Sequence, residues 1–155
     1  MKWTYNETIK MGTLNVRGMR EITKREQIIT HMQQHKIDII CTQETKIPSS
    51  PVENRRTHNF VFSSDSNNGT EHHGVGFCYN KKLEAYRNYY KQHSSHMIEM
   101  EINMHGNNLV ILGVYIPHDD VREEKRTEVW DKLSERIREL TNNKNVVDRK
   151  STRLN

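Results

Sequence analysis

Residues 37–46 read Ile-Asp-Ile-Ile-Cys-Thr-Gln-Glu-Thr-Lys. A short apolar run rich in β-branched residues stops at the polar cluster Gln43-Glu44-Thr45-Lys46. A bounded run of this length reads as a buried strand, the kind found in layered α/β proteins. Glu44 then stands at or just past the C-terminal end of that strand, where such proteins collect functional groups. A carboxylate there must be solvated, paired or bound to a cation, because burying it bare is too costly.

Residues 10–16 form a second short strand that ends in Asn15-Val16-Arg17-Gly18, a polar residue followed by a turn. If the two strands are neighbours, Asn15 and Glu44 lie side by side at one sheet edge. Asn offers an amide to a phosphate oxygen, or orients a metal-bound carboxylate. Glu44 is a hard oxygen ligand suited to a magnesium ion that also touches substrate phosphate. The plainer alternatives are an exposed strand-end carboxylate and an Asn that merely closes a turn.

Further along, Thr23-Lys24-Arg25-Glu26 has the pattern of a capping box. It predicts a helix to about His35 with Ile28, Ile29 and Met32 facing the core. Pro48-Ser49-Ser50-Pro51 is a loop, Phe60-Val61-Phe62 a short strand, and residues 74–79 the next strand, paired with it across a polar loop. Residues 83–92 read as irregular or strand. Residues 97–104 alternate as a half-buried strand should, and residues 109–116 form the most apolar strand. A long helix is expected from about residues 120–123 to Leu140, with Val129, Trp130, Leu133, Ile137 and Leu140 as its core stripe.

The length of 155 residues suits one domain. The mean hydropathy of −0.95 is low, so the core is thin for the chain's size. The net charge of +4 is a weak pointer to a polyanionic partner, and half of it comes from Arg149, Lys150 and Arg153 set against Asp148. Cys41 and Cys78 fall in strand interiors and read as buried free thiols, which suits a reducing, intracellular setting, nuclear or cytoplasmic. Residues 1–10 are too polar for a signal peptide. No apolar run approaches the span of a membrane helix, so no membrane partner is expected. His72-His73 lacks a second ligand pair at zinc spacing and reads as a solvated loop.

Four stretches in order resemble the signature motifs of the endonuclease/exonuclease/phosphatase superfamily. They are Asn15-Val16-Arg17-Gly18, Gln43-Glu44-Thr45-Lys46, His73-Gly74-Val75-Gly76-Phe77, and residues 109–117 with Tyr115-Ile116-Pro117. The resemblance implies an α/β fold, a four-layered α/β sandwich of two packed sheets, with this chain covering roughly its first half to two-thirds. It implies phosphate-ester cleavage by an activated water with Mg2+, or Mn2+ in its place. Glu44 would be the metal ligand. Asn15 and Tyr115 would be the other catalytic residues, acting at the phosphate. His118, after the proline, and His96, near the position of the superfamily's substrate-strand arginine, would be substrate-binding.

Among the branches, Leu14-Asn15-Val16-Arg17-Gly18-Met19 and Gln43-Glu44-Thr45-Lys46-Ile47 look most like the endonuclease domain of non-long-terminal-repeat retrotransposons. That branch implies DNA as partner, held mostly through its phosphates, and a reverse transcriptase domain in the same polyprotein. Arg17 stands where abasic-site repair nucleases usually carry an acid, which argues against that branch. An abasic-site nuclease or a small-molecule phosphoesterase of the same superfamily is the same-class alternative. A catalytically inactive remnant, or a module that only binds nucleic acid, is the alternative from another class.

The superfamily's glycine-aspartate-X-asparagine turn and serine-aspartate-histidine terminus do not occur in the sequence. Residues 1–147 are therefore expected to be a partial domain that does not nick DNA alone. Residues 148–155, Asp-Arg-Lys-Ser-Thr-Arg-Leu-Asn, are what a common short-read sequencing adapter encodes in one frame, and are expected to be an artefactual tail.

Overall fold

The computed structural model describes residues 8–65, 73–104, 106–117 and 123–142. Strands β1 (Met11–Asn15), β2 (Ile39–Gln43), β3 (Val52–Asn54), β4 (His58–Ser63) and β5 (Val75–Asn80) form one sheet in the order β1-β2-β5-β4-β3. Strands β6 (Arg87–Gln92), β7 (Met97–Met104) and β8 (Asn107–Val114) form a second sheet in that order. Helix α1 (Ile22–His35) covers the outer face of the first sheet, and α2 (Glu123–Asn142) lies against the outer face of the second. The result is the expected four-layered α/β sandwich, with five strands in the first sheet and three in the second among the described residues.

The two-residue period of each strand divides the core. Ile39, Val61, Val75, Phe77 and Tyr79 point inward and pack against Ile98, Met100 and Ile102 of the second sheet. Ile40, Phe60, Phe62 and Cys78 point outward and pack under Ile28 and Met32 of α1. Strands β2, β4 and β5 are thus covered on both sides, which is why they read as continuous apolar runs. The two thiols are free and embedded in this packing. Burial pushes Cys41 up to about 12 and Cys78 higher still, so neither is a thiolate at neutral pH.

The sheets approach closely at Gly113. A Cβ there would stand 2.5 Å from Cys41 Sγ and 2.9 Å from Ile98 Cγ2. Gly113→Ala is expected to destabilise residues 1–155 by about 1–3 kcal/mol, the usual cost of overpacking a core. A lower urea midpoint at unchanged slope is the readout, and an unshifted midpoint would show that the sheets can part freely.

Several expectations need correction. The box at Thr23 does not cap α1. Its N-cap is Glu21, with no side-chain cap bond, and the helix starts two residues earlier than the box requires once Met19 and Ile28 are buried. Strand β3 was not anticipated; Arg25 of α1 meets its Glu53 at 2.5 Å, so a tertiary ion pair helps to seat it. Residues 83–92, expected as irregular or strand, hold the end of a 3-10 turn (residues 81–86) and then β6, in keeping with that expectation.

Strand β7 is not half-buried. Glu99, on its polar face, is 0 % exposed beneath α2. The α2 stripe is also narrower than predicted. Trp130 is 45 % and Ile137 41 % exposed, while Val129 and Leu140 are buried and Arg136 is folded inward. At 3.6 residues per turn, Val129, Leu133, Arg136 and Leu140 share an arc of about 60°, and Trp130 and Ile137 lie about 80–100° from Val129. The covered face is centred on that arc.

His72, His118 and residues 148–155 lie outside the described residues. No helix among the described residues is long and apolar enough to cross a membrane.

Candidate functional site

Strands β1 and β2 pair in parallel, with Asn15 opposite Gln43. The next residue of β2's chain is Glu44, so Asn15 and Glu44 do emerge at one sheet edge. The two departing loops are tied together: Val16 N–H donates to Gln43 O at 3.0 Å, Gly18 N–H to Glu44 O at 2.7 Å, and Met19 N–H to Thr45 O at 2.8 Å. The entry to β5 joins them, since Thr45 N–H donates to Gly74 O and Lys46 N–H to His73 O.

This knot holds a strained backbone. Arg17, Glu44 and Lys46 all have φ near +50°, a region that side chains with a Cβ rarely occupy. Left-handed non-glycine residues that persist are held by their surroundings and gather at functional sites. Gly74, at φ +101°, has no room for a side chain, because a Cβ there would collide with the buried Thr45 hydroxyl. Asn15 Oδ1 accepts from Arg17 N–H at 3.2 Å, so Asn15 does close the turn while its amide nitrogen stays at the exposed edge.

Glu44 is half-buried, and Tyr115 Oη donates to its Oε1 at 3.1 Å. Tyr115 follows the end of β8, so the bond crosses from one sheet to the other. Burial, then the Glu44 carboxylate, pushes the Tyr115 hydroxyl up to about 12, and it remains a donor at neutral pH. His96 locks Tyr115 from behind. Tyr115 N–H donates to His96 O at 2.9 Å, and His96 Nδ1–H donates to Tyr115 O at 3.1 Å. The two rings stack at 5.9 Å and 8°.

His96 is 4 % exposed, and burial, ahead of every other influence, holds it below the ordinary histidine value. Its remaining edge borders a cleft of about 320 Å³ between α2 and the β6–β7 turn. His73 completes the cluster, its ring 5.3 Å from His96 and 5.6 Å from Tyr115. His73 is thus not the solvated loop residue that the His72-His73 pair suggests. The available signal was its position directly before Gly74-Val75-Gly76, at the mouth of a buried strand.

Of the residues singled out from sequence, the structure brings Asn15, Glu44, Tyr115 and His96 to one end of the sandwich. Among the described residues no cluster of three or more metal-ligating side chains occurs. A single accessible carboxylate still fits a magnesium-like ion, which takes one or two carboxylates and fills its shell with water and substrate phosphate.

The sequence profile of the Endonuclease/Exonuclease/phosphatase family matches residues 12–147. The chain belongs to this family. The matched span includes the β1–β2 edge, the glycine-valine strand and Tyr115. Among solved structures, the chain shares its fold with an AP endonuclease from Archaeoglobus fulgidus (TM-score 0.55, 20 % identity), covering 91 % of this chain and 53 % of that one. A family protein from Leptotrichia buccalis is also similar (TM-score 0.48, 14 % identity), over 91 % of this chain and 63 % of its own. The chain thus spans about half to two-thirds of these relatives. No curated protein sequence matches it.

Proposed function

We propose that this chain supplies the first half of the active site of a divalent-metal-dependent DNA endonuclease, of the kind that nicks target DNA to prime reverse transcription in a retroelement. The observation that carries the reading is Glu44: a strained, half-buried strand-end carboxylate, hydrogen-bonded by Tyr115 and set beside Asn15. A magnesium or manganese ion bound at Glu44 would supply Lewis-acid stabilisation of a phosphoryl oxygen. The chain's own part is positional. Tyr115 Oη orients the Glu44 carboxylate and keeps its proton. His96 fixes Tyr115 through two hydrogen bonds with its backbone. The Asn15 amide stands at the same edge as a donor to a phosphate oxygen. His118, directly after Tyr115-Ile116-Pro117 in sequence, would add a phosphate contact.

The test uses a polypeptide in which this chain continues through the family's aspartate and histidine motifs. It is expected to nick intact supercoiled plasmid with magnesium and to stop in excess chelator. Cleavage confined to abasic DNA, or to small phosphate esters, would transfer the reading to the other branches of the family. Tyr115→Phe, which leaves the ring in place, is expected to lower the nicking rate roughly ten- to a hundredfold, the worth of a hydrogen bond to a charged group. An unchanged rate would remove Tyr115 from the mechanism.

A further inference from the structure

The opposite end of the first sheet holds a second concave site. A pocket of about 650 Å³ opens between the C-terminal turn of α1 and the starts of β2 and β4, within the size range of small-ligand sites. Lys10, Lys36, Asp38, His58, Asn80 and Lys82 are among the side chains lining it. The length of β2 separates it from Glu44, about 15–20 Å at a strand's rise per residue.

The negative groups here are already satisfied. Lys10 N–H donates to Asp38 Oδ2 at 2.8 Å, and Lys10 Nζ donates to His35 O at 2.9 Å, covering a carbonyl at the negative end of α1. Lys36 and Lys82 are exposed, and among the described residues their ammonium groups meet no acid. His58 sits at the back, 2 % exposed. Its Nδ1 is 2.8 Å from the Thr57 hydroxyl. In the tautomer whose Nδ1 accepts from the Thr57 hydroxyl, the ring proton is on Nε2 and the ring offers an N–H to the pocket it lines. Burial holds His58 below the ordinary histidine value, so this is a neutral N–H donor.

We propose that this pocket binds a phosphate group, held by the Lys36 and Lys82 ammoniums and the His58 Nε2–H. Two ammoniums and a neutral donor against one already paired carboxylate match a compact oxyanion. The phosphate belongs either to a nucleic-acid strand, making the pocket an anchor remote from the Glu44 edge, or to a free phosphate compound. Neither source depends on the nuclease reading.

The test uses residues 1–155 in excess chelator, so that no metal recruits phosphate to Glu44. Inorganic phosphate and a twelve-nucleotide single-stranded DNA are titrated separately and followed by 1H–15N correlation spectra with the His58 ring observed. Both probes are expected to shift the His58, Lys36 and Lys82 signals saturably, equally in Glu44→Gln. A Lys36→Glu, Lys82→Glu double variant, altered at exposed positions only, is expected to lose at least tenfold in affinity. DNA binding at least tenfold tighter than phosphate and falling steeply with salt assigns the source to a strand; equal affinities assign it to a free phosphate compound. Absence of pocket shifts with both probes, or shifts that persist in the double variant, overturns the proposal.

Discussion

Glu44→Gln is expected to lower metal-dependent phosphodiester cleavage by about a thousandfold in the complete enzyme, with its stability unchanged. Removing the carboxylate charge forfeits several kcal/mol of metal-mediated stabilisation, and each 1.4 kcal/mol is a factor of ten. The amide keeps the volume and can still accept from Tyr115 Oη, so the knot between the β1, β2 and β5 loops is preserved. Residues 1–155 offer an independent readout. Manganese should broaden the signals of Asn15, Thr45 and Tyr115 in the wild-type chain and leave them sharp in Glu44→Gln. Broadening that survives the substitution would place the metal elsewhere.

A companion substitution probes the strain. Glycine has no penalty at φ +54°, where a side chain costs about 1 kcal/mol. Glu44→Gly should therefore lose the activity without losing stability. A residue kept in an unfavourable conformation only for its chemistry behaves in this way.

The largest stability effect is expected at Glu99 and Arg136. Arg136 Nε and Nη2 donate to the two Glu99 oxygens at 2.6 and 2.7 Å, Tyr89 Oη donates at 2.6 Å and His93 Nε2 at 3.0 Å. This is the bond that fastens α2 to the second sheet. Arg136→Ala would leave a fully buried carboxylate without its charge partner, and is expected to destabilise the chain by about 3–5 kcal/mol. Glu99→Leu combined with Arg136→Met replaces the pair by apolar volume and should recover most of that loss. Urea denaturation at pH 7 measures both, and a double variant no more stable than Arg136→Ala would contradict this account.

The pair also sets the acid response. Burial alone would raise the Glu99 carboxyl; hydrogen bonds from Arg136, then Tyr89 and His93, outweigh it and hold the group at about 2, against an ordinary value of 4.5. A carboxyl depressed on folding contributes stability that is fully present above pH 4.5 and is lost as the pH falls towards 2. The contribution is roughly 3 kcal/mol. The wild-type chain should weaken steeply across that window, and Glu99→Leu with Arg136→Met should weaken less. Parallel acid profiles for the two proteins would count against the depressed value.

What the sequence determined is local. The runs ending at Asn15 and Glu44, the glycine-valine stretch and the apolar strand before Tyr115 each carry their own period and stop signals. Their type, order and polar ends were therefore legible, and so was the meeting of Asn15 with Glu44 once two short strands were made neighbours. What covers each face is not written locally. The pattern of residues 97–104 marks Glu99 as polar but cannot say that Arg136, 37 positions on, will lie over it and bury it. The stripe on α2 marks an apolar side but not the axis on which the helix settles, and Trp130 and Ile137 end outside the contact. His73 reads as a loop residue until three separate strand ends bring it against His96 and Tyr115. Backbone hydrogen bonding and side-chain period are short-range, whereas desolvating a charge or filling a gap depends on partners far along the chain. Only the packed structure decides which partners those are.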